Sequence, residues 1–135
     1  MSENPVCILI VEDNALVAKF YRMALERAGG FACRISEDMT EILQLARGGG
    51  VHLAIVDVSL SRTEWEGRLL EGTEVTRLLK AASPRPLPVM LATAHAMAGD
   101  RERLLAASGA DGYLEKPVYD AEALVAAVRR LLPPR

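Results

Sequence analysis

The chain has 135 residues, 50% of them apolar and 25% charged, with a formal net charge of -2. That length supports one domain with a real hydrophobic core. The scattered Lys and Arg exclude the clustered basic surface that nucleic acid requires, apart from Arg129, Arg130 and Arg135 near a helix end that favours cations anyway. The opening "MSENP" lacks the basic start and apolar core of a signal peptide, and no apolar run is long enough to cross a bilayer, so the expectation is a cytoplasmic protein without a membrane partner.

Taken in chain order, apolar runs alternate with helical periodicities. Cys7–Val11 is continuously apolar, as for a strand covered on both faces. Val17, Phe20, Ala24 and Ala28 then follow helical spacing, and "AGG" stops that helix. "ACRIS" (Ala32–Ser36) alternates, which suits an edge strand. Ile42, Leu45 and Ala46 mark a second helix before "GGG". Leu53–Val56 reads as a second central strand, and residues 58–71 as an extended loop. Val75, Leu78, Leu79 and Ala82 mark a third helix before "SPRPLP". Val89–Ala92 is a third central strand, followed by a helix through Leu104, Leu105 and Ala107. The short "GYLE" (Gly112–Glu115) is a second edge, and Leu124, Val125, Val128 and Leu131 form a last helix ending at Pro133. Cys7 and Cys33 fall in strands and match no metal or redox spacing, so free buried thiols are expected.

Five βα units predict a doubly wound α/β fold with a five-stranded parallel sheet in order 2-1-3-4-5, a flavodoxin-like sandwich. Ligands bind such sheets beyond the C-terminal strand ends, near the switch point. Polar residues gather at that rim: Glu12 and Asp13 after the first strand, Asp57 after the third, Thr93 after the fourth and Lys116 after the fifth. Each has a plainer reading by itself. Asp13 or Asn14 caps a helix, Asp57 opens a turn, Thr93 is a strand residue, and Lys116 is a surface lysine before a Lys-Pro turn with a cis bond open to it. Their joint arrival at one edge favours a shared site.

Three carboxylates brought together repel, and one lysine does not balance them. A small hard cation with oxygen ligands does, and Mg²⁺ suits such a set, with Mn²⁺ as a substitute. His95 stands alone near the rim and reads as an ordinary rim residue. A carboxylate beside a cation and a lysine is also a nucleophile for phosphoryl transfer. Asp57 is placed for attack, Glu12 and Asp13 for the metal, Lys116 for the phosphoryl charge and the Thr93 hydroxyl for a phosphoryl oxygen.

These residues in this order, "ILIVEDN", "VDVS", "LATA" and "GYLEKP", resemble the receiver domain of two-component response regulators, of the stand-alone chemotaxis-regulator kind. The resemblance spans residues 1–135 with a core of about 6–132, as a single domain without an output domain. It implies a phosphorelay switch in which Asp57 accepts a phosphoryl group from a histidine kinase or histidine phosphotransfer protein. It also implies a main-chain carbonyl ligand at Ser59. Movement of Thr93 towards the phosphoryl group, with Tyr113 rotating inward, would alter the face of the fourth helix, fifth strand and fifth helix. A downstream protein target, and a homodimer through that same face, would read the change. Such a protein is a phosphoacceptor with slow autodephosphorylation and not a turnover enzyme. Residues 58–71 depart from the family in length and lack its usual Met-Pro, and Trp65, Leu69 and Leu70 are expected to fold that loop back over the protein.

A receiver fragment of a larger regulator or hybrid histidine kinase carries the same residues. An aspartate-nucleophile phosphohydrolase needs a second acid two residues on, where Ser59 stands. A nucleotide or flavin binder needs glycines in the first strand–helix loop, which is acidic here. A degenerate receiver that binds without phosphorylation is disfavoured because every chemical residue is present.

Overall fold

The computed structural model describes residues 5–94 and 99–133, and His95 lies outside them. Five parallel strands form the main sheet: β1 (Cys7–Val11), β2 (Ala32–Ile35), β3 (Leu53–Asp57), β6 (Val89–Thr93) and β7 (Gly112–Glu115). Two short strands, β4 (Glu64–Trp65) and β5 (Arg68–Leu69), pair separately in antiparallel fashion. The main sheet runs β2-β1-β3-β6-β7, which is the expected 2-1-3-4-5 once its own strands are counted.

The central strands are apolar throughout because both faces are covered. Ile8, Ile10, Leu53, Ile55, Met90 and Ala92 point into one core with α1 (Ala15–Arg27) and α5 (Ala121–Leu131). Leu9, Val11, Ala54, Val56, Val89 and Leu91 point into the other, with α2 (Met39–Arg47), α3 (Gly72–Ala82) and Leu104 of α4 (Asp100–Ser108). This is the period-two alternation of a strand, written entirely in apolar residues. Cys33 is buried, Cys7 is half-buried, and both are free thiols. Burial pushes the Cys33 thiol up to about 12.

The structure refines one expectation and corrects another. In α1 the fully buried residues are Ala18, Tyr21, Ala24 and Leu25, with Val17 and Phe20 partly buried against the same core and only Ala28 of the spaced residues exposed. The apolar side chains of that helix cover two adjacent stripes, and both face the core. Residues 58–71 are not a plain loop. They carry the β4–β5 hairpin, whose turn residues Glu66 and Gly67 both have positive φ, 53° and 82°, as a tight two-residue hairpin turn requires. Leu70 is 2% exposed and Trp65 packs against the same core cluster, as expected, but Leu69 remains 56% exposed.

Gly72 closes the insert for a steric reason. A Cβ there would lie 2.1 Å from the carbonyl oxygen of Asp57 and 2.8 Å from the Cα of Val58. Those are backbone atoms of the central strand end, so neither yields easily. Gly72→Ala is therefore expected to destabilise the fold by about 1–3 kcal/mol, read as a lower urea midpoint.

Candidate functional site

The site is assembled from strand ends. β1 stops at Val11, and Asn14 caps α1 by accepting from the amides of Leu16 at 3.0 Å and Val17 at 3.2 Å. The two residues between strand and cap are Glu12 and Asp13, so they stand at the rim. Register does the rest. Val11 lies beside Val56 and Asp57 beside Ala92, one residue before Thr93, which in turn lies beside Glu115. The Lys116 amide then donates to the Thr93 carbonyl at 2.8 Å, which brings the last strand's end to the same edge.

Glu12, Asp13 and Asp57 each present an oxygen within 4.8 Å of the others. Glu12 and Asp57 are only 3% and 5% exposed, and Asp13 is half-buried. The Lys116 ammonium lies 2.8 Å from Glu12 Oε1 and 3.5 Å from Asp57 Oδ2. Among the described residues, Lys116 is the ammonium against these carboxylates and the Arg62 guanidinium beside Asp13 is paired with Glu37, which leaves the cluster short of positive charge. Burial lifts the Glu12 carboxyl to about 7, outweighing the hydrogen bonds from Lys116 and from the Asn14 amide, and the neighbouring Asp57 adds to the rise. At Asp13 burial acts in the same direction but is outweighed by hydrogen bonds with Ser61 and with Glu12, which hold the carboxyl below the usual range. For Lys116 burial opposes the charge, yet contact with Glu12 and Asp57 keeps it raised.

An all-oxygen set of three acids with a charge deficit fits a hard divalent cation such as Mg²⁺. It offers neither imidazole nor thiolate, the ligands zinc prefers. Of the other expected residues, Ser59 and Thr93 stand at the same strand ends, while Tyr113 lies within β7 beside Leu91. Ser59 follows Asp57 by two positions, and its amide donates to Asp57 Oδ1 at 3.4 Å. Thr93 is 3% exposed at the end of β6. Tyr113 in β7 is half-buried, and its hydroxyl is enclosed without a hydrogen-bond partner among the described residues. The Lys116–Pro117 peptide is cis.

Two contributors were not anticipated. The Ser61 hydroxyl and amide donate to Asp13 Oδ2 at 2.5 and 3.1 Å, and Arg62 donates to the Asp13 carbonyl at 2.7 Å. Their positions follow from the path of the insert, which strand and helix periodicity do not describe. The "EG" step between "TEW" and "RLL" was the available sign of a hairpin there.

Comparison with known proteins follows this geometry. The polar-differentiation response regulator DivK of Brucella anthropi is 36% identical over 115 residues, covering 84% of this chain and 86% of its own length. A response regulator of Burkholderia pseudomallei, solved with a phosphorylated aspartic acid, a calcium ion and citrate, superimposes with a TM-score of 0.71 at 26% identity, covering 90% of this chain and 65% of that one. The chemotaxis protein CheY4 of Vibrio cholerae shares the fold, with a TM-score of 0.77 at 21% identity over 96% of this chain and all of its own. The response regulator receiver domain family matches residues 8–129, from the first strand to the last helix, and this chain belongs to that family.

Proposed function

We propose that residues 6–132 act as one phosphorelay signalling switch whose phosphoacceptor is Asp57. A phosphohistidine donor, on a histidine kinase or histidine phosphotransfer protein, supplies the phosphoryl group. The observation that carries this reading is the packing of Glu12, Asp13 and Asp57 within 4.8 Å, with Lys116 3.5 Å from Asp57. As a receiver domain, the chain is a phosphoacceptor regulator and not a turnover enzyme.

Glu12, Asp13 and Asp57, with the Ser59 main-chain carbonyl, would hold Mg²⁺, or Mn²⁺ in its place. The ion supplies charge neutralisation of phosphoryl oxygens during in-line transfer. The chain's own residues do the rest. An Asp57 carboxylate oxygen forms the new O–P bond while the P–N bond to the donor imidazole breaks, and the imidazole nitrogen keeps the electron pair and takes a proton. Lys116 is already held at the rim by Glu12 and balances the added negative charge. Ser59 steadies Asp57 through its amide. Thr93, one position past the register partner of Asp57, would hydrogen-bond a phosphoryl oxygen.

The phosphoryl dianion then favours one of two arrangements of the α4-β7-α5 face through Thr93 and Tyr113. This face would meet a downstream protein or a second copy of the chain. Its packing supports the reading. Ser108 is the one buried residue of α4, and no residue of β7 is fully buried.

Incubation with Mg²⁺ and acetyl phosphate should add one acid-stable, base-labile phosphoryl group to the wild type and none to Asp57→Asn, as read by intact mass. Absence of the adduct on the wild type, under conditions that label a known receiver, overturns the assignment. Thr93→Ala should still take the group but lose most of the accompanying change in Tyr113 resonances by NMR.

The Glu12 carboxyl also sets a pH dependence. Its folded pKa, about 7, lies above the ordinary 4.5, so the folded state binds that proton more tightly than the unfolded chain. Its contribution is fully present below 4.5 and is lost as pH rises through about 7. In chelator, the urea midpoint of the wild type should fall across that window, and Glu12→Gln should flatten the fall.

A further inference from the structure

The strand ends account for the acids of the rim but not for the insert between Asp57 and Gly72. Of the three acids, Glu12 and Asp57 are almost fully buried and so are held by packing. Asp13 is half-buried and stands on the loop before α1, where packing alone would leave its side chain free to turn towards water.

Two consecutive insert residues prevent that. Ser61 places both its hydroxyl and its amide on Asp13 Oδ2, at 2.5 and 3.1 Å. Arg62 reaches the Asp13 carbonyl at 2.7 Å and forks onto Glu37 at 2.9 and 3.0 Å. Side chain and main chain of one acid are thus gripped by one short stretch of chain. The exposed Arg62–Glu37 pair is screened by solvent, so its value lies in direction more than energy.

The stretch that does the gripping is fixed at its own ends. Thr63 is fully buried and Leu70 is 2% exposed, with the Leu70 amide donating to the Thr63 carbonyl at 2.9 Å. The Gly72 amide donates to the Val58 carbonyl, also at 2.9 Å. Donors carried on an anchored segment orient a carboxylate at little entropic cost when the ligand binds.

We propose that Ser61 is a positioning residue for the cation ligand Asp13, and that the insert is a brace setting divalent-cation affinity at the rim. This rests on the reading of the rim as a Mg²⁺ site. With Oδ2 taken by two donors, the carboxylate plane is set and its other oxygen is left for the ion. Partners of this kind, one step removed from the metal, commonly change affinity by about 10–100-fold when removed. The Ser61 amide survives an alanine substitution, so the lower end applies.

The test is calorimetric titration of Mg²⁺ into the full chain as wild type, Ser61→Ala and Ser61→Thr, with urea unfolding in chelator alongside. The expected result is about tenfold weaker binding for Ser61→Ala, recovery towards wild type for Ser61→Thr, and unchanged metal-free stability. Equal or tighter binding by Ser61→Ala, while the wild type binds, overturns the brace. A loss of affinity that Ser61→Thr shares also overturns it, as does one matched by a loss of metal-free stability. Failure of the wild type to bind Mg²⁺ overturns instead the reading of the rim on which the brace depends.

Discussion

The ammonium of Lys116, 2.8 Å from Glu12 and 3.5 Å from Asp57, is the contact on which the rim depends. It joins the last strand of the sheet to the first and third, across 104 residues of sequence. Without it, two carboxylates at 3% and 5% exposure would face one another with no positive charge beside them, an arrangement that burial makes expensive. With it, the cluster folds but stays short of positive charge. That shortfall is what fits the rim to a hard divalent cation.

The sheet order, the five helices and the acids at the strand ends were legible because each rests on local pattern. Unbroken apolar runs show strands covered on both faces, and a charged residue directly after such a run marks an exposed tip. In α1, Val17, Phe20 and Ala24 keep helical spacing and meet the core, while Tyr21 and Leu25, on the neighbouring stripe, take deep positions that the spacing did not name. Sequence period identifies a helix more reliably than it chooses between two apolar stripes. Tyr21 illustrates the difficulty, since a residue with a polar tip is fully buried.

The insert was illegible for a different reason. Its hairpin depends on Glu66 in a left-handed conformation that only a minority of non-glycine residues adopt, and its contacts with Asp13 span 48 residues. Neither is written in spacing. Leu70 and Trp65 were readable as packing residues because apolar surface on a long segment needs cover, whereas Leu69 lies on a two-residue strand exposed at both positions. Gly72 was visible only as the end of the segment. Its purpose, room for the Asp57 carbonyl, is a fact of three dimensions.

That close approach gives the molecule uneven compliance. Asp57 sits on a strand flanked by β1 and β6, with the backbone of Gly72 pressed against its own carbonyl, so the Asp57 end of β3 has almost no slack. On the far side, β7 forms a partly covered edge and α4 rests on the sheet through few buried atoms. The rim therefore joins a tightly held strand end at Asp57 to a thinly packed margin at β7 and α4, and local opening should cost least at that margin.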